Sequence, residues 1–158
     1  CKHADESRTF QRIPGYIGSC EKDMWINSVS AIHTEGDRSL YLAECHLNDC
    51  WKILICSENG DLLTEFTLEN SSIKVTAYCA KLIPTTSLVY LVIATSDNIL
   101  RVLQCPINIS TSKISKQWKQ VSVYPVDAEI TQLYTLQDTE LKILAGDLQG
   151  QINYYALF

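Results

Sequence analysis

One stretch in the second half of the chain, residues 99–126, carries basic side chains and no acidic ones. It holds four cations and a tryptophan, namely Arg101, Lys113, Lys116, Trp118 and Lys119. Cations contribute affinity for a phosphate backbone or an acidic protein, and an indole ring gives a base a surface to stack on. The pattern predicts a binding site for an acidic protein partner or a nucleic acid. The alternative is a solvated loop whose lysines maintain solubility, with Trp118 packed against an outer strand.

Most of these residues lie in or beside residues 106–117, the longest irregular connection in the strand pattern. Long loops carry binding function more often than short ones, because a rigid scaffold presents them at the surface. Trp51 and Tyr41 also offer aromatic rings, but we favour core packing over a ligand cage for both. The candidate site therefore rests on the segment that ends at Lys119.

The chain has seven cysteines, an odd number, and four of them lie inside predicted strands. Those four are Cys45, Cys56, Cys79 and Cys105. Three interpretations remain open: small buried side chains in a reducing compartment, a disulfide framework, or a metal site built on Cys45, His46 and Cys50. No second Cys/His pair stands at zinc-finger spacing, so we favour the first interpretation and predict no metal.

Recognisable catalytic motifs are absent from the sequence. It contains no glycine-rich phosphate loop and no Gly-x-Ser-x-Gly motif. The three histidines, His3, His33 and His46, have no serine or cysteine partner at a motif spacing. We predict that the protein is not an enzyme and that it needs no cofactor.

Three windows of equal length suggest an internal repeat. Residues 39–56 read "SLYLAECHLNDCWKILIC", residues 88–105 read "LVYLVIATSDNILRVLQC" and residues 140–157 read "ELKILAGDLQGQINYYAL". Laid over one another without a gap, they align apolar positions and turn residues, for example Leu42 with Leu91. A period of roughly 40–50 residues with several short strands per unit is typical of propeller blades.

The windows and their flanks predict an all-β fold, part of a β-propeller. Val, Ile, Thr and Tyr dominate, and Gly, Asn, Asp, Ser or Pro interrupt them every few residues. We predict three blades, approximately at residues 28–68, 73–126 and 130–158, each of four strands except the last, which lacks its fourth. Residues 1–27 form an N-terminal segment.

The arrangement resembles the WD40-repeat family. The run "KILICSENGDLLTEFTLENSSIKVTAYC" (52–79) is similar to that family's third strand, turn, outer strand and next opening strand. The run "LKILAGDLQGQINYYAL" (141–157) is similar to its second strand, turn and third strand. The repeats are degenerate, because no Gly-His dipeptide precedes an opening strand and no Trp-Asp closes a third strand. The resemblance implies a non-catalytic scaffold that presents loops and faces to partners.

Three blades cannot close a ring, since propellers typically carry four to eight. We therefore expect the chain to be part of a larger propeller, and the fourth strand of the last blade to come from residues remote in sequence or from another chain. In the family, that strand usually comes from the other end of the chain. The run "TFQRIPGYIG" (9–18) is the candidate here, and Pro14 limits it to an edge strand.

Composition restricts the setting. The net charge of −5 does not favour broad nucleic-acid binding, and no run of 18 apolar residues predicts a membrane span. We predict a cytoplasmic or nuclear scaffold bound to protein partners in a multi-subunit complex, with an accessory subunit of an RNA-modifying complex as the finer hypothesis. The alternative is a fragment of a secreted, disulfide-bonded propeller, in which the sequons at Asn70 and Asn108 would be glycosylated.

Overall fold

The protein is an all-β structure, as the sequence predicts. The computed structural model describes residues 9–11, 24–33, 39–47, 50–69, 72–108 and 114–158. These residues contain eleven β-strands in three antiparallel sheets of four, four and three strands. None of them lies in a helix that could span a lipid bilayer. Lys113 and most of the 9–18 run fall outside the described residues, so the edge-strand prediction stays untested.

The first sheet is a meander of four strands in chain order. They are β1 (Trp25–His33), β2 (Ser39–Leu47), β3 (Cys50–Ser57) and β4 (Leu62–Glu69). The turn into β4 depends on Gly60, whose φ of 89° is accessible to glycine at little steric cost. The opening strand starts at Trp25, three residues before the predicted start.

The second sheet repeats the meander. Its strands are β5 (Val75–Ile83), β6 (Leu88–Thr95), β7 (Ile99–Pro106) and β8 (Lys119–Pro125). Asn98 turns the chain between β6 and β7 with a φ of 59°, a conformation that asparagine tolerates better than most residues.

The third sheet has three strands in the order β11-β10-β9. They are β9 (Ile130–Thr135), β10 (Lys142–Asp147) and β11 (Ile152–Ala156). Gly150 turns the chain with a φ of 79°, and Asp147 Oδ1 accepts the N–H groups of Gln149 and Gln151. Within the described residues β9 and β11 are the two edges of this sheet.

The hairpins match the three sequence windows, but the ungapped overlay is wrong by one residue in β2. Three residues separate the paired Thr95 and Ile99, whereas only two separate Leu47 from its partner Cys50. A one-residue slip reverses the face on which every side chain of a strand lies. Leu42 and Leu91, aligned by the overlay, consequently meet in the same core from opposite sheets. Between the second and third windows the registers agree, so the overlay holds there.

The sheets stack face to face around two cores. The first core lies between the first two sheets and includes the fully buried Leu42, Ile53 and Leu91. The second lies between the second and third sheets and sets the small Ala94 and Ala145 beside larger aliphatic side chains such as Ile143. The opening strand of each sheet lies innermost, because β5 contacts both β1 and β9. The three sheets thus radiate from one line of opening strands.

Candidate functional site

The three opening strands line a cleft of about 580 Å³. Its walls come from β1, β5 and β9, so the cleft runs along the line from which the sheets radiate. Hydroxyl and amide side chains line it together with aliphatic ones, and the polar set includes Asn27, Ser30, Thr76, Thr131 and Gln132. A cleft with such walls offers hydrogen bonds to a polar ligand.

Glu44 is the acidic group of this cleft, and it is 7% exposed. Its Oε1 accepts hydrogen bonds from Asn27 Nδ2 at 2.8 Å and from Ser28 Oγ at 3.2 Å. Its Oε2 accepts a 2.7 Å bond from Trp51 Nε1. Ser28 Oγ also lies 2.5 Å from Tyr78 OH, so the network crosses from the first sheet to the second. A buried carboxylate with this many donors is held in one orientation.

The network also sets the protonation of its members. Burial alone would raise the pKa of Glu44, but the bonds from Trp51, Asn27 and Ser28 and the nearby His46 outweigh it and lower the pKa below its ordinary value. Burial raises the pKa of Tyr78, and the charge of Glu44 adds to that rise. The cleft therefore contains a carboxylate and a neutral phenol at physiological pH.

His46 stands beside Glu44 at one end of the cleft. Its Nε2 lies 3.5 Å from Glu44 Oε2 and makes no hydrogen bond within the described residues. The imidazole stacks on Trp25 with ring centroids 5.9 Å apart. No group of three or more His, Cys, Asp or Glu side chains that could hold a metal occurs in the described part of the chain. The cleft is thus suited to binding a hydrogen-bonding group.

The basic residues singled out from the sequence are not gathered at this cleft. Arg101 lies in β7 and bonds back to its own hairpin turn, where its Nη2 pairs with Asp97 Oδ2 at 3.0 Å and its Nη1 donates to Thr95 Oγ1. The guanidinium beside Asp97 lowers the pKa of that carboxyl. Arg101 therefore has a structural role in closing the β6–β7 turn.

Lys116 and Trp118 belong to the contact between the first two sheets. Lys116 Nζ pairs with Glu65 Oε1 at 2.9 Å, although the lysine side chain is 67% exposed. Trp118 Nε1 donates to the Glu65 carbonyl at 2.8 Å, and its ring packs against Phe66 with centroids 5.6 Å apart. Trp118 is half-buried against the first core and is not a free stacking surface.

Lys119 is the remaining described member of the predicted set. It is exposed at the start of β8 and makes no ion pair with another described residue. Its register partner is Gln104, while Arg101 pairs with Val123 further along the same two strands. The predicted residues thus occupy three different environments, and whether they bind a partner stays a prediction.

The described cysteines are Cys45, Cys50, Cys56, Cys79 and Cys105, and the last three are free thiols. Cys45, Cys56 and Cys105 are buried, and burial raises the pKa of Cys79 to about 12. Because its pKa is raised, the Cys79 thiol is protonated and weakly reactive at physiological pH.

Sequence reasoning missed Glu44, Ser28 and Tyr78 as a connected group. The available signal was an acidic residue inside the apolar run of β2, since a buried carboxylate requires partners on neighbouring strands. The residues that supply those partners follow from the pairing register of β2, and the ungapped overlay placed β2 wrongly by one residue.

The chain was compared with family models, curated proteins and solved structures. No family model matches it, and no curated protein matches it. Among solved structures, the crystal structure of the WD40 domain of SCAP from fission yeast is similar, with a TM-score of 0.54 and 14% sequence identity. The alignment covers 84% of this chain and 29% of that one, so this chain spans less than a third of the length of the matched structure. At this identity the likeness shows the fold, and the three sheets are blades of a WD40-like β-propeller.

Proposed function

We propose that the protein is a non-catalytic interaction scaffold, a section of WD40-like propeller that assembles with a protein partner. The observation that carries this proposal is an exposed apolar face on the third sheet, here called blade 3. Tyr134, Leu144 and Tyr154 form one row across it, because Leu144 pairs with both tyrosines. Ile152 lies beside them. We call these four residues the open face of blade 3.

The open face is unlike its reverse side. Ile143, Ala145 and Tyr155 point the other way and pack against the second sheet, blade 2. On the open face, Tyr134 is 67% exposed, Tyr154 is 56% exposed and Ile152 is 78% exposed. Contiguous exposed apolar side chains mark interaction surfaces in soluble proteins, because covering them with a partner removes apolar area from water.

The backbone edge beside the open face is also available for pairing. Asp147 N–H bonds to Gln151 O, and Leu157 N–H bonds to Leu141 O. Antiparallel pairing alternates along a strand, so the N–H groups of Ile152 and Tyr154 point away from β10. An edge with outward N–H groups accepts an added strand.

Two charged groups in the described sheets support a scaffold over a catalyst. Glu44 is committed to Trp51, Asn27 and Ser28, and Arg101 is committed to Asp97. Side chains with such fixed partners stabilise the blades and are not free to exchange protons with a substrate.

The finer hypothesis, an accessory subunit of an RNA-modifying complex, rests on blade 2. Among its described cations, Lys119 is exposed and without an ion pair, which leaves it available to a phosphate. The secreted, disulfide-bonded alternative requires cysteine pairs, and among the described cysteines Cys56, Cys79 and Cys105 form no disulfide. We therefore prefer the scaffold in a multi-subunit complex of the cytoplasm or nucleus.

Site-specific crosslinking tests the proposal. A photoreactive phenylalanine analogue at Ile152 should crosslink in cells to one recurring polypeptide, and the same group at the exposed Glu58, in the turn after β3, should not. Ile152→Lys should also reduce co-elution of the protein with that polypeptide, while leaving the thermal unfolding of the protein unchanged. Equal crosslinking from both positions, or co-elution that Ile152→Lys does not alter, would contradict the proposal.

A further inference from the structure

A second pocket, of about 320 Å³, lies between the outer strands of blades 2 and 3. Tyr124 at the end of β8 and Tyr155 on β11 form one wall, with ring centroids 5.5 Å apart and planes at 66°. The connection from β8 to β9 supplies Asp127, and the turn from β10 to β11 supplies Asp147. We call these four residues the tyrosine–aspartate pocket.

The two segments that form the pocket are held together by the backbone. Leu148 N–H donates to the Glu129 carbonyl at 3.0 Å, which links the turn of blade 3 to the connection from blade 2. Val126 N–H donates to the Asn98 carbonyl at 2.9 Å, which fixes the other end of that connection. The pocket walls are therefore positioned before any ligand arrives, and a pre-organised site binds with less loss of conformational freedom.

Both carboxylates keep unused acceptor capacity. Asp127 is exposed and makes no hydrogen bond or ion pair within the described residues. Asp147 uses Oδ1 for two backbone N–H groups, and its Oδ2 makes no hydrogen bond to a described residue. No lysine, arginine or histidine is among the residues that line the pocket. The pocket thus presents negative charge without an internal counter-ion.

The tyrosine rings of the pocket can also attract a cation. Tyr124 is 54% exposed. Burial raises the pKa of Tyr155, and the neighbouring Tyr124, Asp127 and Asp147 raise it further, so this phenol stays neutral. The face of a neutral tyrosine ring attracts a cation positioned over it.

We propose that the tyrosine–aspartate pocket binds a lysine or arginine side chain from a basic segment of a partner protein. The aspartates supply the counter-charge and the rings supply a face for the cation and its aliphatic stem. The overall charge of blade 3 agrees, because residues 127–158 contain five acidic residues and one lysine. Two carboxylates would repel the phosphates of a nucleic acid. The inference rests on the scaffold function and adds the chemistry of the partner.

A matched pair of peptides tests the inference. One fluorescein-labelled peptide carries three arginines separated by alanines, and the other carries citrulline, which has nearly the same shape and no charge, in place of each arginine. The purified protein should bind the arginine peptide at least about fivefold more tightly, since one exposed charge pair with a cation–π contact contributes on the order of 1 kcal/mol. Equal affinity for the citrulline peptide would overturn the inference.

Two variants locate the binding. Asp127→Asn should weaken the arginine peptide about threefold to fivefold, because it removes one counter-charge and no hydrogen bond of the fold. Asp61→Asn is the control, because it changes the net charge equally at an exposed turn of the first sheet. Equal losses in both variants would mean non-specific attraction to an acidic protein and would overturn the inference. The inference would also be overturned if the protein bound a single-stranded RNA oligonucleotide more tightly than the arginine peptide and Asp127→Asn strengthened that RNA binding.

The outcomes separate this inference from the scaffold function. If Ile152 crosslinks to a partner while Asp127→Asn leaves the arginine peptide unaffected, the scaffold function stands and the pocket assignment is wrong. If the peptide responds as expected while Ile152 gives no partner, the pocket stands and the open face does not serve as the docking surface.

Discussion

The first sheet is blade 1. The junction between blades 1 and 2 is held together by different contacts from the junction between blades 2 and 3. The first junction contains a chain of aromatic contacts. The ring centroid of Trp51 lies 5.6 Å from that of Tyr78 and 6.3 Å from that of Phe66. The ring centroids of Phe66 and Trp118 are 5.6 Å apart. Such edge-to-face pairs add to the gain from burial.

A segment of blade 2 also crosses onto blade 1 at the first junction. Ser115 N–H donates to the Leu63 carbonyl at 3.0 Å, and Thr64 Oγ1 donates to the Ser115 carbonyl at 2.6 Å. Lys116 and Trp118 then bond to Glu65. The first junction is therefore held by backbone hydrogen bonds, an ion pair and large rings.

The second junction has fewer aromatic contacts between described residues, since a single ring pair, Tyr124 with Tyr155, joins the blades. Its core sets the small Ala94 and Ala145 beside larger aliphatic side chains. A lysine also bridges the two blades. Lys81 Nζ donates to the carbonyls of Leu136 at 2.7 Å and Glu140 at 2.9 Å. Blades 1 and 2 should therefore unfold as one unit, whereas blade 3 should open at a lower free energy.

The largest expected loss of stability comes from removing a buried side chain from each of the two cores. Leu91→Ala removes a fully buried side chain from the first junction and should lower the free energy of unfolding by about 2–5 kcal/mol. Ile143→Ala in the second junction should cost a similar amount but accelerate amide exchange chiefly in blade 3. Denaturant unfolding combined with amide exchange measures both. Uniform acceleration across all strands in Ile143→Ala would contradict the two-unit account.

Trp118→Ala should have the next largest effect. The substitution removes a half-buried ring from the first junction together with its bond to the Glu65 carbonyl, so we expect a loss of about 3 kcal/mol in the free energy of unfolding. A stacking role toward nucleic acid would give a different result. Unchanged thermal unfolding with weakened RNA binding would restore the role predicted from the sequence.

Glu44→Gln should cost about 1–3 kcal/mol near neutral pH, because the amide leaves a buried donor facing a donor. The loss should depend on pH. The folded state lowers the pKa of Glu44 below its ordinary value of 4.5, so the carboxylate stabilises the fold fully above that value. That stabilisation disappears as the pH falls through the folded-state pKa. The difference between wild type and variant, measured by urea unfolding from pH 7 to pH 3, should therefore shrink. A constant difference would mean that Glu44 is already neutral in the fold.

The smallest effects concern the exposed lysines. Lys116→Ala breaks an ion pair on the surface and should change stability by less than about 1 kcal/mol. Lys119→Glu should leave thermal unfolding unchanged, since this side chain makes no ion pair within the described residues. If blade 2 binds RNA, Lys119→Glu should weaken the binding and reduce its dependence on salt concentration. Unchanged affinity and salt dependence would remove the RNA hypothesis for Lys119.

The sequence predicted much of the fold because strand composition and turn residues are local signals. Gly60, Asn98 and Gly150 all adopt positive φ, and the three hairpins follow the windows. The face of β2 could not be predicted, because the turn after Leu47 is one residue shorter and nothing in the apolar run shows this. The division into residues 1–27 and 28–158 stays a prediction.

The site was less predictable than the fold. A count of cations identified residues 101–119 as basic, but it left out Asp97, which lies in the hairpin turn just before that run. The other partner, Glu65, lies on β4 of the first sheet and is visible only after the sheets are packed. The tyrosine–aspartate pocket likewise joins Tyr124 to Tyr155, which are 31 positions apart in the sequence. Contacts between blades depend on stacking geometry, and local sequence patterns do not specify it.

Amide exchange at β11 in the native assembly tests the central claim most directly. The N–H groups of Ile152 and Tyr154 point outward from the edge of blade 3, next to the exposed side chains of the open face. In the protein separated from its partners these two amides should exchange rapidly, and in the native assembly they should be protected by at least about tenfold. Protection confined to the assembly would support a scaffold that docks through blade 3. Equal exchange in both preparations would contradict it.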